Sequence, residues 1–380
     1  MNPSLNVLPS ANGEFATLFV ALELSKSKWL VALRDPVSGK ISRQTLEGGD
    51  SAALLARIAT TRLRAEAALG GKVKVISCYE AGYDGFWLHR LLVTRGIESH
   101  VIDPASLEVN RRARRVKTDK VDLEKLLRTL QAFARGEKDV CRMVRVPSVE
   151  EEDARRRSRE RQRLVNEKTQ HINRIKGLLM TQGVRNFSPE RGGGEKRLDK
   201  LETGDGQPLP PCLKAETSRE IARLHQVLAM IKTIEAEQEE LIASNEQSAA
   251  ATLMKLRALG LVGASVLANE VFFRDFRNRR EVGSYFGLDD SRWQSGDMDQ
   301  GQGISKAGNP RGRALMIELA WLWLRWQPQS ALSLWFKARV GENRGRVRRV
   351  AIVALARKLA VALWRYVTTG LIPEGAVLKA

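Results

Sequence analysis

Two long stretches in the middle of this chain can fold only as helices, and they constrain everything around them. Glu151 to Met180 holds a single Gly, no Pro, and a dense mixture of Arg, Glu and Gln. Leu164, Ile172, Ile175 and Leu179 run through it as a thin apolar seam at helical spacing. A Gly/Pro-rich interruption spans Phe187 to Pro211. Glu216 to Ser244 then repeats the pattern, with Ile221, Leu224, Leu228, Ile231 and Ile234 on one stripe. Helices this polar bury little alone, so they must pair along their seams, as an antiparallel pair or as a dimerising coiled coil. A helical module at 148–248 follows, with a separate segment on each side.

The segment before it reads as α/β. Residues 1–15 are a polar tail rich in Asn, Ser and Pro. Thr17–Glu23, Trp29–Leu33 and Lys40–Leu46 are short strands joined by turn residues, which predicts an antiparallel meander. Ser51–Leu69 is a helix stopped by Gly70-Gly71, Val73–Tyr79 a strand, Gly85–Gly96 a helix and Ser99–Ile102 a strand. Strands alternating with helices predict a parallel portion, giving a mixed-sheet domain over 16–147. The segment after the helical module, 249–380, reads as all-helical. Leu256–Gly263 suggests a helix–hairpin–helix with Gly at its tight turn, Gly283–Gly312 a loop-rich insert, and Pro310–Trp326 and Arg344–Thr368 the closing helices.

Composition narrows the function. The 63 Lys and Arg exceed the 44 Asp and Glu, leaving a net charge of +19 and a polyanionic partner as the natural complement. Cys78, Cys141 and Cys212 are scattered, which excludes a disulfide framework and a Cys-rich zinc module and fits a reducing compartment. No amino-terminal stretch has the order of a signal peptide. The apolar run Ile317–Trp326 is interrupted by Glu318 and Arg325 and is too short to span a bilayer. The expected location is cytoplasmic, at the nucleoid, with no membrane partner.

Four acids stand out for chemistry. Glu23 and Glu80 each end an apolar strand, and Asp119 and Asp122 share one helix face within Lys117-Thr-Asp-Lys-Val-Asp122. Four such carboxylates can hold two Mg²⁺ ions, which take oxygen ligands and suit phosphodiester chemistry. The same aspartates also read as a helix cap or a solvated face, and Asp84 and Asp103 are nearby alternatives, Asp103 more naturally a turn residue before Pro104. Ser295-Gly296, with Lys306 and Arg313 downstream, reads either as a nucleophile facing phosphate-binding cations or as a basic loop that touches a backbone. Arg111, Arg112, Arg114, Arg115 and Lys117, then Arg155 to Arg163, then Arg344, Arg346, Arg348 and Arg349 are runs suited to phosphate contacts. Trp293 is the candidate for base stacking, while Trp321, Trp323, Trp326 and Trp335 read as core.

Three ordered stretches resemble the IS-110-type transposases, bridge-RNA-guided DNA recombinases of bacterial insertion sequences. They are Val20-Ala-Leu-Glu23-Leu-Ser-Lys26; Tyr79-Glu80-Ala-Gly through Gly96, Pro104 and Lys117 to Asp122; and Leu259-Gly through Phe286-Gly-Leu, Ser295-Gly and Ile304-Ser-Lys-Ala-Gly-Asn. The resemblance implies a RuvC-like (RNase H superfamily) domain, a coiled coil and a helical transposase domain. It implies that Glu23, Glu80, Asp119 and Asp122 hold Mg²⁺ and that Ser295 forms a phosphoserine link. It also implies double-stranded donor and target DNA, a guide RNA, and a dimer or tetramer whose active site combines residues of different subunits. Two departures are visible: the first acid is Glu23 where the family carries Asp, and 187–211 is longer than the family pattern. A RuvC-like endonuclease or junction resolvase without serine chemistry, and a decayed nucleic-acid-binding scaffold, are the competing readings.

Overall fold

The computed structural model describes residues 16–107, 119–296 and 298–379, without the side chains of residues 119–121, 138 and 295. The amino-terminal tail and the basic run Arg111–Lys117 lie outside the described residues. The chain divides into two compact units, the first ending at Pro147 and the second beginning at Ser148.

The first unit is built on a five-stranded sheet in the order β3-β2-β1-β4-β5. Strands β1 (Ala16–Leu24), β2 (Lys28–Arg34) and β3 (Ile41–Glu47) form the antiparallel meander. Helix α1 (Ser51–Leu69) crosses to β4 (Val73–Glu80), and α2 (Trp87–Thr94) to β5 (Glu98–Ile102). Strand β4 runs parallel to both β1 and β5. The Asp50 carboxylate caps α1 by accepting from the Ala53 amide at 2.9 Å, and Gly70 ends the helix in the left-handed conformation.

The central strands carry apolar residues at consecutive positions because both faces are covered. On one face Leu18, Val20, Leu22 and Trp29 pack with Leu54 and Ile58 of α1 and Leu88 and Leu92 of α2. On the other, Ala21, Ala32, Ile76 and Cys78 pack under Leu123, Leu126, Leu127 and Leu130 of α3 (Asp119–Ala134). Each fully buried Leu or Ile contributes about 1.5–3 kcal/mol, so the two clusters dominate this unit's stability. Strand β3 lies at an edge, and its exposed Ser42, Arg43 and Thr45 discourage further strand pairing there. Asp103 accepts from the Ala105 amide at 3.0 Å and caps the short turn after β5, as its place before Pro104 suggested.

In the second unit, α4 (Val149–Met180) and α6 (Pro211–Ala243) form an antiparallel pair within the chain. Arg157 meets Glu237, Arg161 meets Glu235, and His171 meets Glu220, so contacts descend α6 as α4 ascends. Helix α4 opens with a reciprocal cap: Ser148 accepts from the Glu151 amide, and Glu151 accepts from the Ser148 amide. The predicted seam of α4 is buried throughout, and that of α6 is buried except for the half-buried Leu228. The Gly/Pro-rich interruption is itself folded. It contains α5 (Gly194–Leu198) and buries Phe187, Leu198 and Leu209 against Ile175, Leu179 and Ile221.

Helices α7 (Ala249–Met254), α8 (Leu261–Glu270), α9 (Arg279–Phe286), α10 (Pro310–Trp326), α11 (Ala331–Val340) and α12 (Arg346–Thr369) share one core around Leu267, Phe286, Trp323, Leu355 and Leu359. The expectation that 249–380 is all-helical is corrected here. Between α9 and α10 stands an antiparallel hairpin, β6 (Asp290–Ser295) and β7 (Met298–Ile304), where the sequence read as loop. Its strands are largely polar and almost wholly exposed, with Trp293 and Met298 too few to form an apolar alternation that would announce them. The turn between α7 and α8 is also corrected: its left-handed residue is Ala258 at φ 88°, while Gly260 has φ −102°. Gly263 lies inside α8, close against Leu319. Among the described residues no helix is long and apolar enough to cross a membrane.

Candidate active site and nucleic-acid interface

Register brings the acids of the first unit to one end of the sheet. The parallel ladder pairs Leu22 with Tyr79, so Glu23 and Glu80 occupy the next position side by side. Glu23 also pairs with Leu30, and Glu80 with Ile102, both of which belong to the face that α3 covers. Helix α3 crosses that face antiparallel to β1. Its Gln131 accepts from Arg34, the partner of Phe19 near the start of β1, at 2.7 Å. Nearer the strand ends, the Cys78 thiol reaches the Leu126 carbonyl at 3.8 Å. Asp122 lies one turn before Leu126, and Asp119 opens the helix, so the start of α3 lies toward the end where Glu23 and Glu80 stand.

This donor set is oxygen only. Burial, then Cys141 and Glu80, push the Cys78 thiol far above its ordinary value. Carboxylates of this kind suit a hard cation such as Mg²⁺. Among the described residues no three acidic, His or Cys side chains are gathered closely enough to hold an ion, and the Asp119 side chain lies outside that description. Asp84 sits in the loop after β4, where burial pushes its carboxyl up.

In the second unit, Ser295 ends β6 and pairs with Met298, and Gly296 follows it at the hairpin tip. Gly296 is left-handed at φ 56°, as such a turn requires. Trp293 is 56% exposed two residues before Ser295. It lies on a strand and not, as the sequence suggested, in a loop. Arg292 pairs with Asp290 at 3.0 Å and Asp299 at 3.4 Å, bracing the ladder.

The base of the hairpin is held at several points. Arg313 donates through Nη1 to the carbonyls of Phe286 (3.1 Å) and Lys306 (3.0 Å). Arg357 donates to Asp289 at 3.0 Å, and the Ser305 amide to the Asp289 carbonyl at 2.8 Å. A side chain at Gly287 would collide with the Ala307 carbonyl, and one at Gly308 with the Tyr285 carbonyl. Lys306 is exposed and left-handed at φ 56°, a conformation that costs about 1–2 kcal/mol and persists because its neighbours impose it.

The basic runs differ in fate. Arg111, Arg112, Arg114, Arg115 and Lys117 lie outside the described residues. On α4 several arginines of the run are engaged within the unit, while Arg156 and Arg163 are exposed. Arg155 is buried with its guanidinium 4.0 Å over the Phe273 ring and donates to the Asn269 carbonyl at 3.1 Å. Arg159 grips Glu270 through bonds of 2.7 and 2.8 Å, and Arg157 and Arg161 pair with α6. Arg344, Arg346, Arg348 and Arg349 are exposed at and before the start of α12. The core reading of the tryptophans holds for Trp323, which is buried and donates to Ser330 at 2.9 Å, and for the partly buried Trp335. It fails for Trp321 and Trp326, which are 38% and 52% exposed.

Sequence reasoning missed two buried acids, whose partners, Arg223 apart, lie tens of residues away. Glu270 receives Arg159 and Arg311, and Glu220 receives His171, Arg174 and Arg223. Burial alone would raise both carboxyls. The hydrogen bonds and cationic charge around them outweigh it and hold both below their ordinary value of 4.5. A depressed carboxyl contributes stability that is complete above that ordinary value and lost as pH falls through the depressed one. Urea unfolding at pH 7 should therefore show Glu270→Gln less stable than wild type by about 2–3 kcal/mol, with the gap narrowing below pH 4. A gap independent of pH would contradict this.

Comparison with known proteins places the chain. The family model for the IS116/IS110/IS902 transposases matches residues 250–334, which include the Ser295 hairpin. Protein y4rJ of Sinorhizobium fredii, which bears a transposase name, is 50% identical over 378 residues, 96% of each chain. The transposase for insertion sequence element IS1111A of Coxiella burnetii is 28% identical over 309 residues, 78% of each chain. That for element IS1328 of Yersinia enterocolitica is 29% identical over 220 residues, 56% of this chain and 62% of the relative. The chain belongs to the IS116/IS110/IS902 family of transposases. It is a transposase of an insertion sequence, an enzyme that cuts and rejoins DNA, and it binds DNA.

Proposed function

We propose that this transposase is a bridge-RNA-guided recombinase that joins Ser295 to DNA with the help of Mg²⁺ held by Glu23, Glu80, Asp119 and Asp122. The observation that carries the reading is the placement of Glu23 and Glu80 side by side at the strand ends, on the face where α3 begins with Asp119 and Asp122. The strand order supports assigning the first unit to the RuvC-like class within the RNase H superfamily. The braced hairpin supports a nucleophile at its tip, because a reacting group displaced by about an ångström loses much of its rate.

The chain's residues divide the work. The Ser295 hydroxyl attacks a scissile phosphorus: the bond from phosphorus to the serine oxygen forms, and the bond to the 3′-oxygen breaks. The serine proton passes to a carboxylate of the site, and the departing strand takes up a proton as a free 3′-hydroxyl. Attack by that hydroxyl on another phosphoserine link reverses the chemistry and joins new partners. Bound Mg²⁺ would polarise the phosphate oxygens and offset the negative charge that gathers there. Glu23 is one methylene longer than the Asp of the family pattern, and its length sets where its oxygens reach. The arginines that open α12 and those of 111–117 neutralise phosphates without reading sequence, which falls to the guide RNA. The site completes itself in a dimer or tetramer, between units of different subunits, in the cytoplasm at the nucleoid.

The test is a denaturing gel of full-length protein, its co-purified RNA and labelled donor DNA. A covalent protein–DNA band should appear with Mg²⁺ and vanish with chelator. Nicked DNA without an adduct would replace this reading by a metal-dependent nuclease.

A further inference from the structure

The exposed tryptophans of α10 form a feature that neither the carboxylates nor the hairpin uses. Trp321 has its ring under the Arg348 guanidinium at 5.0 Å, and it meets Phe336 edge-on at 6.3 Å between ring centres. Arg325 lies one turn after Trp321 on the same helix and rests 5.3 Å over Trp326. Two aromatic rings and two guanidinium groups are thereby brought together at a surface where all four side chains are exposed. Among the described residues no carboxylate pairs with Arg325 or Arg348. Helix α12 has no acidic residue along its length, and α10 has only Glu318.

Burial does not explain this arrangement. Trp323 already fills the core from the same helix, so Trp321 and Trp326 keep exposed surface that water solvates poorly. The cations around them make a protein partner with an apolar face a poor complement and a polyanion a good one. Duplex DNA offers phosphates but hides the faces of its bases, whereas an unpaired strand offers both. A transposase cuts and rejoins DNA, and strand exchange exposes unpaired segments.

We propose that Trp321, Arg325, Trp326 and Arg348 form a binding site for an unpaired DNA strand, in which bases stack on the indole and guanidinium planes while the arginines meet the phosphates. The site is distinct from the Ser295 hairpin. The proposal rests on the chain's action on DNA and not on the serine chemistry, because binding can be measured without cleavage.

The experiment measures fluorescence anisotropy of full-length protein with labelled oligo-dT, with a duplex of equal length, and with oligo-rU, all at one salt concentration. Trp321→Ala should weaken oligo-dT binding about 5- to 150-fold and leave duplex binding within about twofold. Trp321→Phe, which keeps a ring against Phe336, should retain most of the affinity, and Arg348→Gln should weaken the strand complex with a shallower salt dependence. If Trp321→Ala lowers the melting temperature enough to obscure binding, Trp326→Ala, at the more exposed ring, gives the same reading. Equal losses for strand and duplex in the tryptophan variants, no loss in either of them, or a preference for oligo-rU over oligo-dT would overturn the proposal. The adduct gel, by contrast, fails or succeeds without regard to these residues' stacking role.

Discussion

Ser295→Ala should eliminate the covalent protein–DNA band, a loss of at least ~10³-fold, while duplex affinity stays within about twofold of wild type. The separation of the two effects follows from where Ser295 sits. It ends a strand at the tip of an exposed hairpin, and the contacts that hold the hairpin are at its other end, around Asp289, Arg313 and Arg357. Removing one hydroxyl at the tip leaves those contacts and the basic surfaces intact. Melting temperature should change by no more than about a degree, since the substitution lies away from every buried cluster. Cleavage that continues at the wild-type rate in this variant would assign the chemistry to water and the carboxylates alone. Loss of binding along with cleavage would mean instead that the hairpin is chiefly a DNA grip.

Glu80→Ala and Asp122→Asn should each lower the rate of adduct formation about 10²- to 10³-fold, because each removes a proposed Mg²⁺ ligand from a site worth several kcal/mol in the transition state. A quenched-flow measurement of single-turnover adduct formation separates this from binding. Raising Mg²⁺ should recover part of the rate in Asp122→Asn, where the carboxamide oxygen remains as a weak ligand, and little in Glu80→Ala. Glu23→Asp is the informative companion. It restores the family's first acid but draws the carboxylate back by a methylene in a sheet that already carries Glu. If the first position tolerates either length, the rate stays within about tenfold; if the site has adapted to Glu, it falls as far as in Glu23→Ala. Full activity in Glu80→Ala would remove the metal site from the account.

Much of this architecture can be read from sequence, for physical reasons that particular elements make plain. Val20, Leu22, Val75 and Tyr79 are buried on strands covered on both faces, so their apolar runs stand out from flanking turns. Ser51–Leu69 and Pro310–Trp326 carry their own start signals, Asp50 and the Asn309-Pro310 pair. Glu23 and Glu80 were visible as acids ending apolar strands, and the parallel ladder is what makes them neighbours. The hairpin was not visible, because its strands are largely polar, without apolar alternation, and hold by backbone pairing and the brace at their base. Helix α11 was also missed, since Ala331–Val340 follows a break at Gln327–Ser330 that hides its period.

The arginines show a different limit. Arg155, Arg157, Arg159 and Arg161 read as part of a run suited to phosphate contacts because sequence displays their charge and not their partners. Glu235, Glu237 and Glu270 lie more than seventy residues further along and become neighbours only when α4 and α6 pair and α8 packs beside them. Trp321 and Trp326 invert the case: an Ala/Leu-rich helix suggests burial, but α10 has more aromatic surface than the core around Trp323 can take in.

In the proposed mechanism Ser295 becomes covalently joined to DNA in a reaction that needs the carboxylates of the first unit. Its most direct test is to trap the adduct with wild-type protein and Mg²⁺, digest protein and DNA, and locate the modified residue by mass spectrometry. Ser295 should carry a nucleotide 5′-phosphate that is absent with chelator and absent in Glu80→Ala. Modification at any other residue, or an adduct on Ser295 that forms equally well without metal and without Glu80, would contradict it.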